Sequence, residues 1–131
     1  MKSVVLGRGF LGEEYERHGY EVWGRDRFEI EDANTLRFDD ALLDYDVIIN
    51  CIGKSDTRWC ERPENWEETL LVNGILPSRL ATLCEQHGKK FVHISTGCLY
   101  DRNDYPQSET DFTVSHCRYT VAKWVGENGL D

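Results

Sequence analysis

The chain is short of basic residues and of long apolar runs, and each shortage excludes something. Lys and Arg number 15 against 24 Asp and Glu, a formal net charge of −9 over 131 residues. That balance repels a polyanion such as nucleic acid unless a local basic patch offsets it. The clusters Arg25-Asp26-Arg27 and Lys89-Lys90 are too short or too interrupted to make one. No apolar stretch approaches the ~18 residues that read as a membrane span. Met1–Leu6 runs directly into an apolar strand and a Gly-rich turn, which is not the pattern of a signal peptide. The cysteines Cys51, Cys60, Cys84, Cys98 and Cys117 are odd in number and form no Cys-x-x-Cys pair. They point away from a disulfide framework and towards a reduced, cytoplasmic setting. His18, His87, His93 and His116-Cys117 show no zinc spacing, so no metal site is expected.

What remains is the composition of one α/β domain over residues 1–131, with 40% hydrophobic and 30% charged residues. Strand signals alternate with helical ones, the pattern of a parallel sheet covered by helices. Ser3–Leu6 is a continuous apolar run, as expected for a strand buried on both faces. A short helix over Gly12–His18 closes at Gly19, followed by strands at Glu21–Trp23 and Phe28–Ile30 and a helix over Asn34–Leu43. Asp46–Cys51 is the clearest strand, β-branched and apolar. Lys54–Glu64 reads as a polar loop. Trp66–His87 carries helical periodicity, with a kink or a break near Gly74-Ile75 expected from Pro77. Phe91–Ser95 is a fifth strand, and a long loop over Gly97–Ser115 leads to a last helix.

Two motifs carry chemistry. Gly7-Arg8-Gly9-Phe10-Leu11-Gly12 follows the first strand and opens a helix. That placement lets backbone N–H groups and a helix N-terminus meet a pyrophosphate. Arg8 adds charge beside the phosphates. The second strand ends in Trp23-Gly24-Arg25-Asp26, which leaves two readings open. Asp26 at the strand end would accept from the ribose hydroxyls of NAD, whereas Arg25 would meet the 2′-phosphate of NADP; the balance leans to NADP(H). Cys51-Ile52-Gly53 ends the fourth strand, where ligands of open α/β sheets bind. Ser95-Thr96-Gly97 ends the fifth. Tyr119 and Lys123, four residues apart, share one helix face. A phenol near pKa 10 is a poor acid or base at neutral pH, and a neighbouring cation favours its phenolate by about 1–3 units. With six Tyr and five Lys in the chain, a chance Tyr-x-x-x-Lys is expected about 0.2 times, so context decides its meaning.

That context is a series: Gly7-x-Gly9-x-x-Gly12, Phe28–Asp32, Asp46–Asn50, Val72-Asn73-Gly74, Phe91–Gly97, Glu109-Thr110-Asp111 and Tyr119–Glu127. In this order it resembles the extended short-chain dehydrogenase/reductase superfamily, most closely the dTDP-4-dehydrorhamnose reductase branch. The resemblance implies a Rossmann-like parallel sheet of about five strands in the order 3-2-1-4-5, with helices on both faces. It implies hydride transfer to a 4-keto sugar nucleotide, with dTDP as the nucleotide. Tyr119 would be the general acid, Lys123 would hold the nicotinamide ribose, and Thr96 would support the same oxygen. The implied cofactor contacts are Gly7, Arg8, Gly9, Phe10, Leu11, Gly12, Arg25, Asp26, Glu29, Ile30, Cys51, Ile52, Gly53, Asn73, Tyr119 and Lys123. A homodimer through the two long helices is also implied. Gly97 stands where this branch has Asp, which keeps sugar-nucleotide epimerase/dehydratase open beside reductase, together with a non-catalytic NAD(P)-binding module. Members of the branch continue for about as many residues again, so the chain is expected to be the N-terminal part of a longer enzyme, lacking the substrate-binding half.

Overall fold

Hydrogen-bonded pairing of short, largely apolar strands sets the frame. The computed structural model of the chain describes residues 1–95 and 117–128. Along them run β1 (Ser3–Leu6), α1 (Phe10–Arg17), β2 (Glu21–Trp23), β3 (Phe28–Asp32) and β4 (Thr35–Phe38). A 3₁₀ turn over Asp40–Asp44 precedes β5 (Val47–Asn50). Then follow α2 (Thr57–Glu61), α3 (Trp66–Leu70), a π-helical segment (Leu71–Ile75) and α4 (Leu76–Gln86). The last two elements are β6 (Lys90–His93) and α5 (Arg118–Asn128).

Four strands form a sheet in the order β2-β1-β5-β6. All its pairings are parallel, and Val5 lies between Val22 and Ile49. Both faces are covered. Val4, Leu6 and Ile48 pack with Trp23 against Leu76, Leu80 and Cys84 of α4. Val5, Val22, Val47 and Ile49 pack with Tyr15 of α1 on the other face. This is a Rossmann-like α/β fragment, and it explains why β1 and β5 read as unbroken apolar runs. Gly19 (φ +88) and Gly88 (φ +65) terminate α1 and α4 in the left-handed conformation that glycine adopts without strain.

Three local expectations are corrected. The pattern predicts a third parallel strand beside β2, but β3 leaves the sheet and pairs antiparallel with β4, Phe28 opposite Phe38 and Ile30 opposite Leu36. The chain turns first at Gly24, whose carbonyl accepts from the N–H groups of Arg27 and Phe28. The helix predicted over Asn34–Leu43 is therefore β4 followed by the 3₁₀ turn. Leu36 and Phe38 alternate with Thr35 and Arg37, a period of two that helix periodicity cannot supply. The turn is closed by Asp32, which accepts from the Asn34 N–H at 2.8 Å. Within the predicted loop Lys54–Glu64, α2 forms because Asp56 caps it, accepting from the Arg58 and Trp59 N–H groups.

Pro77 acts one turn before itself. It has no N–H to donate to the Asn73 carbonyl, and its ring crowds that turn. The helix responds by widening into the π segment over Leu71–Ile75 while remaining continuous from Trp66 to Gln86. α5 crosses there at close range: a Cβ on Gly126 would lie 2.6 Å from the Asn73 carbonyl oxygen, and one on Gly74 would lie 3.0 Å from the Ala122 carbonyl oxygen.

Gly126→Ala gains helix propensity of about 1 kcal/mol but forces α5 away from a backbone atom that cannot rotate aside. A net loss of about 1–2 kcal/mol is expected, read as a lower urea midpoint with an unchanged slope.

Candidate functional site

The Gly-rich turn is built by contacts that only glycine permits. Gly7 has φ +110, and a Cβ there would sit 3.0 Å from the backbone of Cys51 and Ile52. A Cβ on Gly12 would sit 1.8 Å from the Gly7 carbonyl oxygen, so this buried glycine lets α1 press against the tip of β1. Gly9 differs, because a Cβ there would meet nothing within 4 Å. The turn is thus closed towards the protein and open outward, at the end of α1 where the first backbone N–H groups lack helical partners. The side chains of Phe10 (89% exposed) and Leu11 point away from the core.

Above the tips of β1, β2 and β5 lies a cleft of about 510 Å³, within the range of ligand pockets. It brings together Gly7, Arg8, Gly9, Arg25, Glu29, Ile30, Cys51, Ile52 and Gly53 from the predicted set. Gly24 and Arg25 line it, and the exposed Asp26 does not. Arg8 folds back, donating to the Val22 carbonyl at 2.9 Å and pairing with Glu16 at 3.2 Å. Burial raises the pKa of the Cys51 thiol and keeps it protonated. Sequence reasoning missed Phe28, Glu31, Lys54, Glu68, Leu71, Val72 and Leu76 on the cleft wall. Lys54 follows Gly53 directly and was discoverable from its place at a strand end. The helical residues Glu68, Leu71, Val72 and Leu76 were not, because their facing depends on tertiary packing.

Asn73 is fully buried and does not line the cleft. Its carboxamide accepts from the Lys54 N–H at 2.7 Å and donates to the Lys54 carbonyl at 3.0 Å. Both groups of the amide thereby hold the segment after β5 in place. Cys51, Cys60, Cys84 and Cys117 are free thiols.

A second polar cluster lies at the ends of β5 and β6. Asn50, 1% exposed, accepts from the Ile52 N–H at 3.1 Å, which directs its amide nitrogen to His93 Nδ1 at 3.3 Å. The His93 proton therefore sits on Nε2, a buried atom with no hydrogen-bond partner among the described residues. Desolvation, and then the Lys123 charge, push the imidazole down to about 4. Lys123, 6% exposed, donates from Nζ to the Ile94 carbonyl at 2.8 Å. Desolvation lowers its pKa, and Glu127, itself accepting from the Ser95 hydroxyl, opposes the shift. Tyr119, one turn earlier, is half-buried, and its N–H donates to the Glu61 carboxylate at 3.4 Å. Thr96, Gly97, Glu109 and Asp111 lie outside the described residues.

A doubly covered parallel sheet with a Gly-rich first turn and a cleft across its strand tips defines a nucleotide-binding α/β protein. The model of the NAD dependent epimerase/dehydratase family matches residues 4–130, and the chain belongs to that family. It is 31% identical over 105 residues to "Probable low-salt glycan biosynthesis reductase Agl14" of Haloferax volcanii, covering 78% of this chain and 34% of that protein. The crystal structure of a dTDP-4-dehydrorhamnose reductase from Clostridium acetobutylicum superposes with a TM-score of 0.78 at 26% identity, over 99% of this chain and 49% of that one. The dTDP-4-dehydrorhamnose reductase from Bacillus anthracis in complex with NADP shares the fold, with a TM-score of 0.76 at 19% identity and the same coverage of 99% and 49%. The chain spans about half the length of these two structures and about a third of the Haloferax protein. The resemblance read from the motifs is upheld. No described helix is long and apolar enough to cross a membrane.

His93 gives a pH dependence. Its pKa falls from 6.5 to about 4 on folding, so the unfolded chain binds the proton first. Its contribution is complete above pH 6.5 and lost as pH falls towards 4. The ring is partly exposed, so a loss of about 1–2 kcal/mol is expected over that window. Urea unfolding at pH 7 and pH 4.5 should show a smaller loss for His93→Asn than for the wild type.

Proposed function

We propose that the chain forms the cofactor-binding part of an NADP(H)-dependent sugar-nucleotide reductase acting on a 4-keto sugar linked to dTDP. The observation that carries this reading is the cleft, with the outward-open glycine turn at one side and, at another, Arg25, whose side chain has no ion pair among the described residues. The cradle fits a dinucleotide: Gly7 and Gly12 bring α1 against the tip of β1, and Gly9 leaves room for phosphate oxygens. Arg25 supports NADP(H) over NAD(H), because a guanidinium pairs with a phosphate in bidentate fashion. Glu29, Ile30, Cys51, Ile52 and Gly53 would line the adenosine and ribose path, and Asn73 acts through the Lys54 backbone.

The bound cofactor supplies the hydride. Tyr119 donates its phenolic proton to the keto oxygen, and the desolvated ammonium of Lys123 on the same helix stabilises the phenolate left behind. Lys123 is fixed by the Ile94 carbonyl, which ties α5 to the tip of β6. Thr96 is assigned to the same substrate oxygen. A cytoplasmic homodimer packed through α3–α4 and α5 accompanies this reading, and Trp124 leaves 40% of its surface exposed on α5. The family equally includes epimerases and dehydratases by its name, and these would use the same cleft with a different proton route.

Two measurements test the reading. Thermal unfolding in saturating NADPH should rise more than in NADH; a ligand at 100 times its Kd adds about 2.7 kcal/mol. An equal or reversed preference would remove Arg25 from its role. With NADPH and a dTDP-4-keto-6-deoxy sugar, Tyr119→Phe should lower turnover by about 10²–10⁴-fold while keeping the NADPH-induced thermal shift. Cofactor binding by the wild type without any turnover would instead identify a non-catalytic NAD(P)-binding module.

A further inference from the structure

Of the six charged side chains that line the cleft, five are already paired. Arg8 is held by Glu16 at 3.2 Å, and Lys54 pairs with Glu68 at 3.4 Å. Glu29 and Glu31 both pair with Arg37 of β4, at 2.8 and 3.1 Å. Only the Arg25 guanidinium has no ion pair or hydrogen bond among the described residues. The same Arg37 also donates at 2.9 Å to the backbone carbonyl of Arg25. One guanidinium outside the cleft therefore fixes the main chain of the free cation and pairs with two carboxylates in the wall beside it.

We propose that Arg37 is the positioning residue that sets the anion selectivity of the cleft, so that Arg25 can receive a terminal phosphate such as the 2′-phosphate of NADP(H). The proposal rests on the nucleotide-binding reading above and deepens it. Its physical content is local charge. With Arg37 present, Glu29, Glu31 and Arg37 leave one excess negative charge, offset by the positive charge of Arg25. Without Arg37, two uncompensated carboxylates face an incoming dianion, and the Arg25 carbonyl loses its clamp. A ligand ending in a neutral ribose feels only the second loss. The three groups are half-exposed, so each interaction is worth only a modest factor, and the effect comes from their sum.

The experiment is a pair of fluorescence titrations of the full chain with NADPH and NADH, with thermal unfolding to confirm that each variant folds. Arg37→Met should weaken NADPH about tenfold and NADH less than about twofold. Adding Glu29→Gln and Glu31→Gln to Arg37→Met removes the stranded charges and should bring NADPH back to within about threefold of the wild type. The NADPH defect of Arg37→Met should also shrink at about 1 M salt, where the Debye length is about 3 Å. Equal weakening of both cofactors, or no recovery in the triple variant, would show Arg37 to be a structural clamp without selectivity and would overturn the proposal. A wild type that binds neither cofactor would overturn the nucleotide-binding reading itself, and this proposal with it.

Discussion

The constraint on which the structure depends is the placement of β1 between β2 and β5, all running in one direction. Parallel neighbours present their C-terminal ends at the same edge, so every residue that follows a strand arrives at the same place. Leu6 lies beside Trp23 on one flank and Asn50 on the other. The residues just beyond, Gly7, Gly24 and Cys51, therefore converge, with the Gly7 N–H on the Trp23 carbonyl and the Cys51 N–H on the Leu6 carbonyl continuing the ladder. The register is in turn held by burial: Val4, Val5 and Leu6 are completely inaccessible, and a slip by one residue would exchange the two faces of each strand.

A second layer of order comes from polar groups that are wholly occupied. Asn50 and Asn73 are each about 1% exposed; Asn50 with its amide oxygen and Asn73 with both amide groups hold the chain just after β5. Asn50 accepts from Ile52, and Asn73 brackets Lys54 from both sides. The segment after β5 would otherwise be a loop free to move over the cleft. Here it is hydrogen-bonded into the cleft wall. The π segment contributes to the same end, since it carries Asn73 and offers α5 a close crossing at Gly74 and Gly126.

Much of this was legible in the residues. The parallel core strands, the glycine turn, the irregularity before Pro77 and the family resemblance all rest on local signals: apolar runs, φ-tolerant glycines and a missing N–H. The strand over Phe28–Ile30 is where the pattern puts it, but its partner is not the sheet, and the helix expected over Asn34–Leu43 does not form. The charged residues there mask a period of two, and a strand that pairs with its immediate successor looks the same in sequence as one that joins the sheet. The charge pairing around the cleft was illegible for a different reason. Arg37 meets Glu29 and Glu31 across a hairpin that had not been recognised, and Lys54 meets Glu68 across fourteen positions of chain. Such partners become neighbours only after the backbone has been placed.

The hairpin has an evolutionary corollary. Its base is closed by the Asp39 N–H on the Arg27 carbonyl and by the Arg27–Asp39 ion pair, and its tip is tethered by Arg79 to the Ala33 carbonyl. Nothing in it contributes a rung to the four-stranded ladder. Provided that Phe28 and Ile30 keep their seats in the interior, the stretch between the two clasps is an interchangeable cassette. Substitutions there would change the charges that Glu29, Glu31 and Arg37 place beside the cleft, while the load of folding stays elsewhere.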